Sequence, residues 1–140
     1  MRLRIAFWLA VAFLIVTAIP LIAHHSFAAQ FDATKPVSFK GIVTKVEWMN
    51  PHVWFYVDAA NDKGELTHWE CEAGNPNALA RNGWKKSSLQ MGDTVSVEGS
   101  RAKCCSNVMN ARSITTADGR RILAGSSGGD GVAVPSGPQE

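Results

Sequence analysis

The stretch Val37–Asp58, VSFKGIVTKVEWMNPHVWFYVD, is rich in β-branched and aromatic residues and carries Gly41, where a bend is easiest, in its first half. Residues of this kind suit a half-buried pleated surface. The pattern predicts two long strands joined by a tight corner at Met49, Asn50 and Pro51. In the first, Val37 and Phe39 alternate in one phase and Val46 and Trp48 in another. A bulge near Gly41 or Lys45 explains the change of phase and bends the strand. In the second, Val53, Phe55 and Val57 point one way, and His52, Trp54, Tyr56 and Asp58 the other. One face reads as core. The other is aromatic and polar.

Downstream, Asn61-Asp62-Lys63-Gly64 reads as a hairpin turn. It leads into a third strand over about Leu66–Ala73, with Trp69, Cys71 and Ala73 on the core side and His68, Glu70 and Glu72 outside. A hairpin symmetric about Asp62 sets Tyr56 opposite His68, Trp54 opposite Glu70 and His52 opposite Glu72. A slip by two keeps every side chain on its face, so parity is the stronger expectation. A short helix follows over about Pro76–Asn82. Asn75 is its N-cap, Pro76 its first residue, and Gly83 its left-handed end, with Leu79 meeting Trp84 across the cap. A fourth strand is expected over about Thr94–Arg101, a fifth over about Asn107–Thr115 and a short edge over Arg120–Leu123.

Three strands, a helix and two strands is the order of an OB-fold, a small all-β Greek-key barrel of antiparallel strands. A strongly bent first strand suits closure. The alternative arrangement of the same strands is an open antiparallel sandwich.

Outward from this domain, 37–123, the chain changes character. Arg2 and Arg4 precede an apolar run from Ile5 to Ile19, ended by Pro20. Residues 1–23 read as a secretory signal peptide, and an uncleaved membrane anchor is the other reading. Cleavage after Ala23 leaves His24 at the mature N-terminus, whereas cleavage after Ala28 removes both His24 and His25. Either predicts export to the periplasm or beyond, where disulfides are permitted. Residues 24–36 form an extended leader that Phe27 and Phe31 can pin to the domain. From Ala124 to Glu140 the Gly, Ser and Pro content predicts a disordered tail.

With 140 residues, the chain has room for one domain and its tails, and a net charge of +2 argues against a dedicated nucleic-acid binder. Three cysteines allow at most one internal disulfide. A structural bridge from Cys71 to Cys104 or Cys105 is expected, against a thiol redox or copper site. Glu70, Glu72 and Asp58 are candidate paired carboxylates, but strand glutamates more commonly form a solvated face. No nucleophile elbow, phosphate loop or His-Glu-x-x-His motif occurs.

The stretches HHSFAAQFD, NPNALARNGW, GDTVSVEGSRAK, NARSITTADGR and AGSS, with the opening stretch extended to Lys35, resemble one family. It comprises small exported bacterial proteins known as a domain of unknown function, number six-one-five-two. The resemblance spans about His24–Ser127 and implies an exported soluble β-barrel with no established activity. It also implies cleavage just before the paired histidines and a shared Asn50-Pro51-His52 corner. This sequence departs from the family pattern at Cys71, Cys104 and Cys105.

The resulting expectation is an exported binding or accessory protein without catalysis of its own. Its platform is the outer face of strands two and three: His52, Trp54, Tyr56, His68 and Glu70. The partner is a small ligand or a periplasmic protein. The leader folding over these aromatics is the competing expectation. The alternative function is Cu(II) binding by the amine and imidazole of His24, with His52 or His68 as a further ligand and His25 as another candidate.

Overall fold

Alternating apolar residues in each predicted strand turn inward and build one sheet around a shared core. The computed structural model describes residues 27–61 and 63–125. In chain order these form α1 (Phe27–Gln30), β1 (Phe31–Glu47), β2 (Trp54–Ala60), β3 (Leu66–Glu72), α2 (Pro76–Arg81), β4 (Thr94–Ala102), β5 (Val108–Thr116) and β6 (Arg121–Leu123). The six strands lie in the order β3-β2-β1-β4-β5-β6. A parallel pairing of Glu70–Glu72 with Val108–Asn110 joins β3 to β5 and closes the sheet on itself. The other ladders are antiparallel. This is OB-fold connectivity, with α2 between β3 and β4.

β1 is long enough to pair with two neighbours, β2 and β4. Its register against β2 shifts between Val43 and Lys45, the bulge that the phase change predicts. Gly41 is needed for close approach: a Cβ there would lie 2.4 Å from the Asp58 carbonyl oxygen. β1 also begins earlier than expected. Phe31 and Asp32 pair with Ala102 and Arg101, so much of the expected leader is strand, and Phe27–Gln30 form a helical turn. The cause is Phe31, only 3% exposed, whose ring lies 5.6 Å from that of Phe27. The ladder is interrupted between Asp32 and Pro36, where a proline without an amide donor does least harm.

Phe55, Val57, Val95, Val97, Met109, Ile114 and Cys71 fill the interior, and Leu79 and Trp84 from the α2 region pack against them. Asn75 caps α2, its Oδ1 accepting from the Asn77 amide at 2.9 Å. At the other end Gly83 takes φ +87°, and the Trp84 and Gly83 amides donate to the Leu79 and Ala80 carbonyls at 3.0 and 3.1 Å. This is the Schellman arrangement read from the sequence. The helix ends at Arg81, one residue before the expected end.

Ala124, the first residue of the expected tail, is fully buried. Its carbonyl accepts from Gly74 at 2.8 Å and its amide donates to Arg112 at 2.9 Å. The packed unit therefore runs past Leu123. The expected signal peptide, its cleavage sites, His24, His25 and residues 126–140 lie outside the described residues.

Candidate functional site

The hairpin of β2 and β3 brings the predicted outer-face residues together, in a register two residues away from the symmetric one. Trp54 pairs with Glu72, Tyr56 with Glu70 and Asp58 with His68. The turn causes the shift. Asn61 donates its amide to the Glu65 carbonyl at 2.9 Å, and its Oδ1 accepts from the amides of Lys63 and Glu65. The turn is thus built around Asn61 as an Asx cap, and the centre of the hairpin moves one residue along. Parity holds: Trp69 and Cys71 are inside, and His68 and Glu70 outside.

Two clusters follow along this face. At the hairpin end, the Tyr56 and His68 rings stack with centroids 5.9 Å apart and planes at 16°. Asp58 Oδ1 lies 2.6 Å from His68 Nδ1. Tyr56 donates its hydroxyl to Glu47 Oε2 at 2.8 Å, and Lys45 Nζ lies 2.5 Å from Glu47 Oε1 and 5.1 Å from the Tyr56 ring centre. The hydrogen bond to Glu47, with burial second, pushes the Tyr56 phenol up to about 12, so the ring keeps its donor. Lys45 first, and then Tyr56, hold the Glu47 carboxyl below its ordinary value. Glu70 stands exposed beside Tyr56, and Trp54 is half-buried between Glu47 and Glu72.

At the corner end, His52 Nδ1 contacts Glu72 Oε1. Glu72 was expected on a solvated face, yet it is 2% exposed. Ring closure is the reason: β5 lies beside the end of β3 and sets the buried Asn110 opposite Glu72. Burial raises the Glu72 carboxyl to about 7. The corner carrying His52 has a cis Asn50–Pro51 peptide, and the Pro51 carbonyl accepts from Asn75 Nδ2 at 3.3 Å. The residue that caps α2 also holds this corner.

The competing expectation, a leader covering the aromatics, is not met by the described part of that leader. Phe31 pairs on β4, and Lys103 ties the leader there through Ala28 and Gln30 carbonyls. The cysteine expectation is also corrected. Cys71 is buried and free, and Cys104 pairs with Cys105. Cys71 lies in the ladder between Phe55 and Met109 with its side chain in the core, whereas both loop cysteines are exposed.

His52 and His68 do not converge. Each has its Nδ1 against a different carboxylate, at opposite ends of the β2–β3 ladder. Among the described residues no group of three His, Cys, Asp or Glu side chains could hold a metal ion. Shallow concavities occur at Pro36–Ser38 with Glu98, Gly99 and Arg112, and at Asp93, Thr94, Thr116–Asp118 and Arg120, away from the aromatic face. Among the described residues of that face, His68 and Glu70 are exposed and Trp54 and Tyr56 half-buried.

Sequence reading placed Glu72 on this face without its burial, and missed Asn110, Glu47 and Lys45 as parts of it. Lys45 and Glu47 carried a signal, an i, i+2 pair of opposite charge on one strand face. Glu72 and Asn110 carried none, because only the β3–β5 seam buries them.

A model of the family described as "Family of unknown function (DUF6152)" matches residues 11–109. No curated protein and no solved structure matches significantly. The match covers more than half of the chain, and the chain belongs to this family.

Proposed function

We propose that this family member is an exported binding module without catalysis of its own, and that its ligand lies on the outer face of β2 and β3. The supporting observation is the Tyr56–His68 stack. Two ring faces are held parallel by carboxylates on a surface that the described part of the leader does not cover. Side chains held this way lose little further freedom on binding. The signal-like N-terminus supports export.

Charge narrows the ligand. Asp58, Glu70 and Glu47 border the rings and Lys45 is the nearby cation, so a polyphosphate is repelled. Flat aromatic rings with carboxylate acceptors suit a neutral or cationic sugar chain, whose C–H faces stack while its hydroxyls or amines donate. A strand face with His68 and Glu70 exposed suits an extended ligand laid along it. Titrating chitosan oligosaccharide, cello-oligosaccharide and oligo-dT, with tryptophan fluorescence as readout, tests this. Saturable binding of a sugar that is lost in Tyr56→Ala, with none for oligo-dT, is the expected result. No saturable sugar binding, or binding unchanged in Tyr56→Ala, would overturn it.

A further inference from the structure

The Cys104–Cys105 bond lies in the loop between β4 and β5, and its place in the chain argues against a stabilising role. A disulfide stabilises chiefly by closing a loop of the unfolded chain, and the effect grows with the length of that loop. A bridge between adjacent residues closes almost nothing.

The loop is held by other means. Arg101 donates to the Ser106 carbonyl at 2.5 Å, Lys103 donates its amide to Gln30 at 2.8 Å, and Asn107 accepts from the Glu70 amide at 2.9 Å. The chain on either side of the sulfurs is thus tied to β3, to α1 and to itself. Opening the bond need not loosen the barrel. Both cysteines are exposed, so a thiolate can reach either sulfur. The remaining thiol, Cys71, is sealed in the core and cannot capture either sulfur by exchange. Lys103, adjacent in sequence, and Arg101 supply positive charge that favours thiolates once they form.

We propose that Cys104–Cys105 is a reversible two-electron redox site that accepts electrons from a protein or small-molecule dithiol. One thiolate of the donor attacks Sγ of Cys105 and forms a mixed disulfide. The electron pair of the Cys104–Cys105 bond leaves on Cys104, which takes a proton from solvent. The second donor thiol loses its proton and attacks the donor sulfur of the mixed disulfide. Cys105 departs as a thiolate and is protonated in turn. Two electrons and two protons have then passed to the loop, and the donor holds a disulfide. The loop adjoins the aromatic face at Glu70, but neither proposal depends on the other.

Oxidised full-length protein treated with dithiothreitol without denaturant, then alkylated and mass-mapped, tests this. The expected outcome is labelling of Cys104 and Cys105 but not Cys71. Melting temperature should fall by less than about 4 °C, the scale of one kcal/mol in a small domain. Oxidised dithiothreitol should restore the bond through repeated cycles. A Cys104→Ser, Cys105→Ser double variant should fold and lose the labelling. Labelling that requires denaturant would overturn the proposal. So would a larger fall in melting temperature on reduction, or failure of the bond to reform.

Discussion

Two histidine–carboxylate pairs occupy opposite ends of one strand ladder, and they differ chiefly in burial. In His52–Glu72 the side chains are 23% and 3% exposed; in His68–Asp58 they are 57% and 39% exposed. The contact is nearly the same: a carboxylate oxygen at Nδ1. The setting decides the consequence. Solvent screens the second pair, so it orients a ring and adds little stability. The first holds a carboxyl that water no longer solvates, so its proton is linked to folding. The same residue types thus make a structural, proton-sensitive end at the corner and an accessible end at the hairpin.

The largest effect expected from this contrast is on removing the buried partner. His52→Ala leaves Glu72 without its imidazole and should cost about 3–5 kcal/mol at pH 8, read from urea unfolding. Below pH 5 the carboxyl is protonated and the cost should shrink. An equal cost at both values would mean that packing, not charge, makes the His52 end important.

The pH profile follows with its sign. The folded-state value for Glu72, about 7, lies above the ordinary 4.5, so the folded protein holds a proton that the unfolded chain releases. This contribution is fully present below pH 4.5 and is lost as pH rises through about 7. The interval corresponds to roughly 3 kcal/mol at most. Glu72→Gln should flatten the profile across that window. An Asp58→Asn profile parallel to that of the unsubstituted protein would sharpen the contrast, and a slope that survives Glu72→Gln would break it.

Asn75→Ala should cost about 1 kcal/mol through the lost cap of α2. Because Asn75 also holds the Pro51 carbonyl, the variant should disturb the His52 ring resonances and leave those of His68 unmoved. Equal shifts at both rings would show that the two ends are not independent. The smallest effect is expected for His68→Ala, less than about 1 kcal/mol in urea unfolding, since its partner stays hydrated. A cost as large as that of His52→Ala would remove the distinction.

The legible parts of the molecule were those written in local pattern. Asn75, Pro76 and Gly83 spell out both ends of α2, and the phase change in β1 announces its bulge. Strand parity placed Trp69, Cys71, Tyr56 and His68 on the correct faces. What escaped depends on contacts distant in sequence or, at the hairpin, on one side chain's choice of partners in its own turn. The hairpin register turned on the side chain of Asn61 capping its own turn. Glu72 became buried because β5 closes the ring beside it. Cys71 was expected to pair because three cysteines invited a bridge, but the closed sheet sets it inside and leaves the loop cysteines to each other. Phe31 belonged to a strand because a partner, β4, lay waiting some seventy residues later.

Resonance mapping of the backbone and histidine rings during a chitosan oligosaccharide titration addresses the division of the face most directly. Saturable shifts should gather at Trp54, Tyr56, His68 and Glu70, and His52 and Glu72 should stay in place. Shifts centred on the His52–Glu72 end, on the β4–β5 side of the sheet, or nowhere would contradict the assignment of binding to the exposed aromatic end.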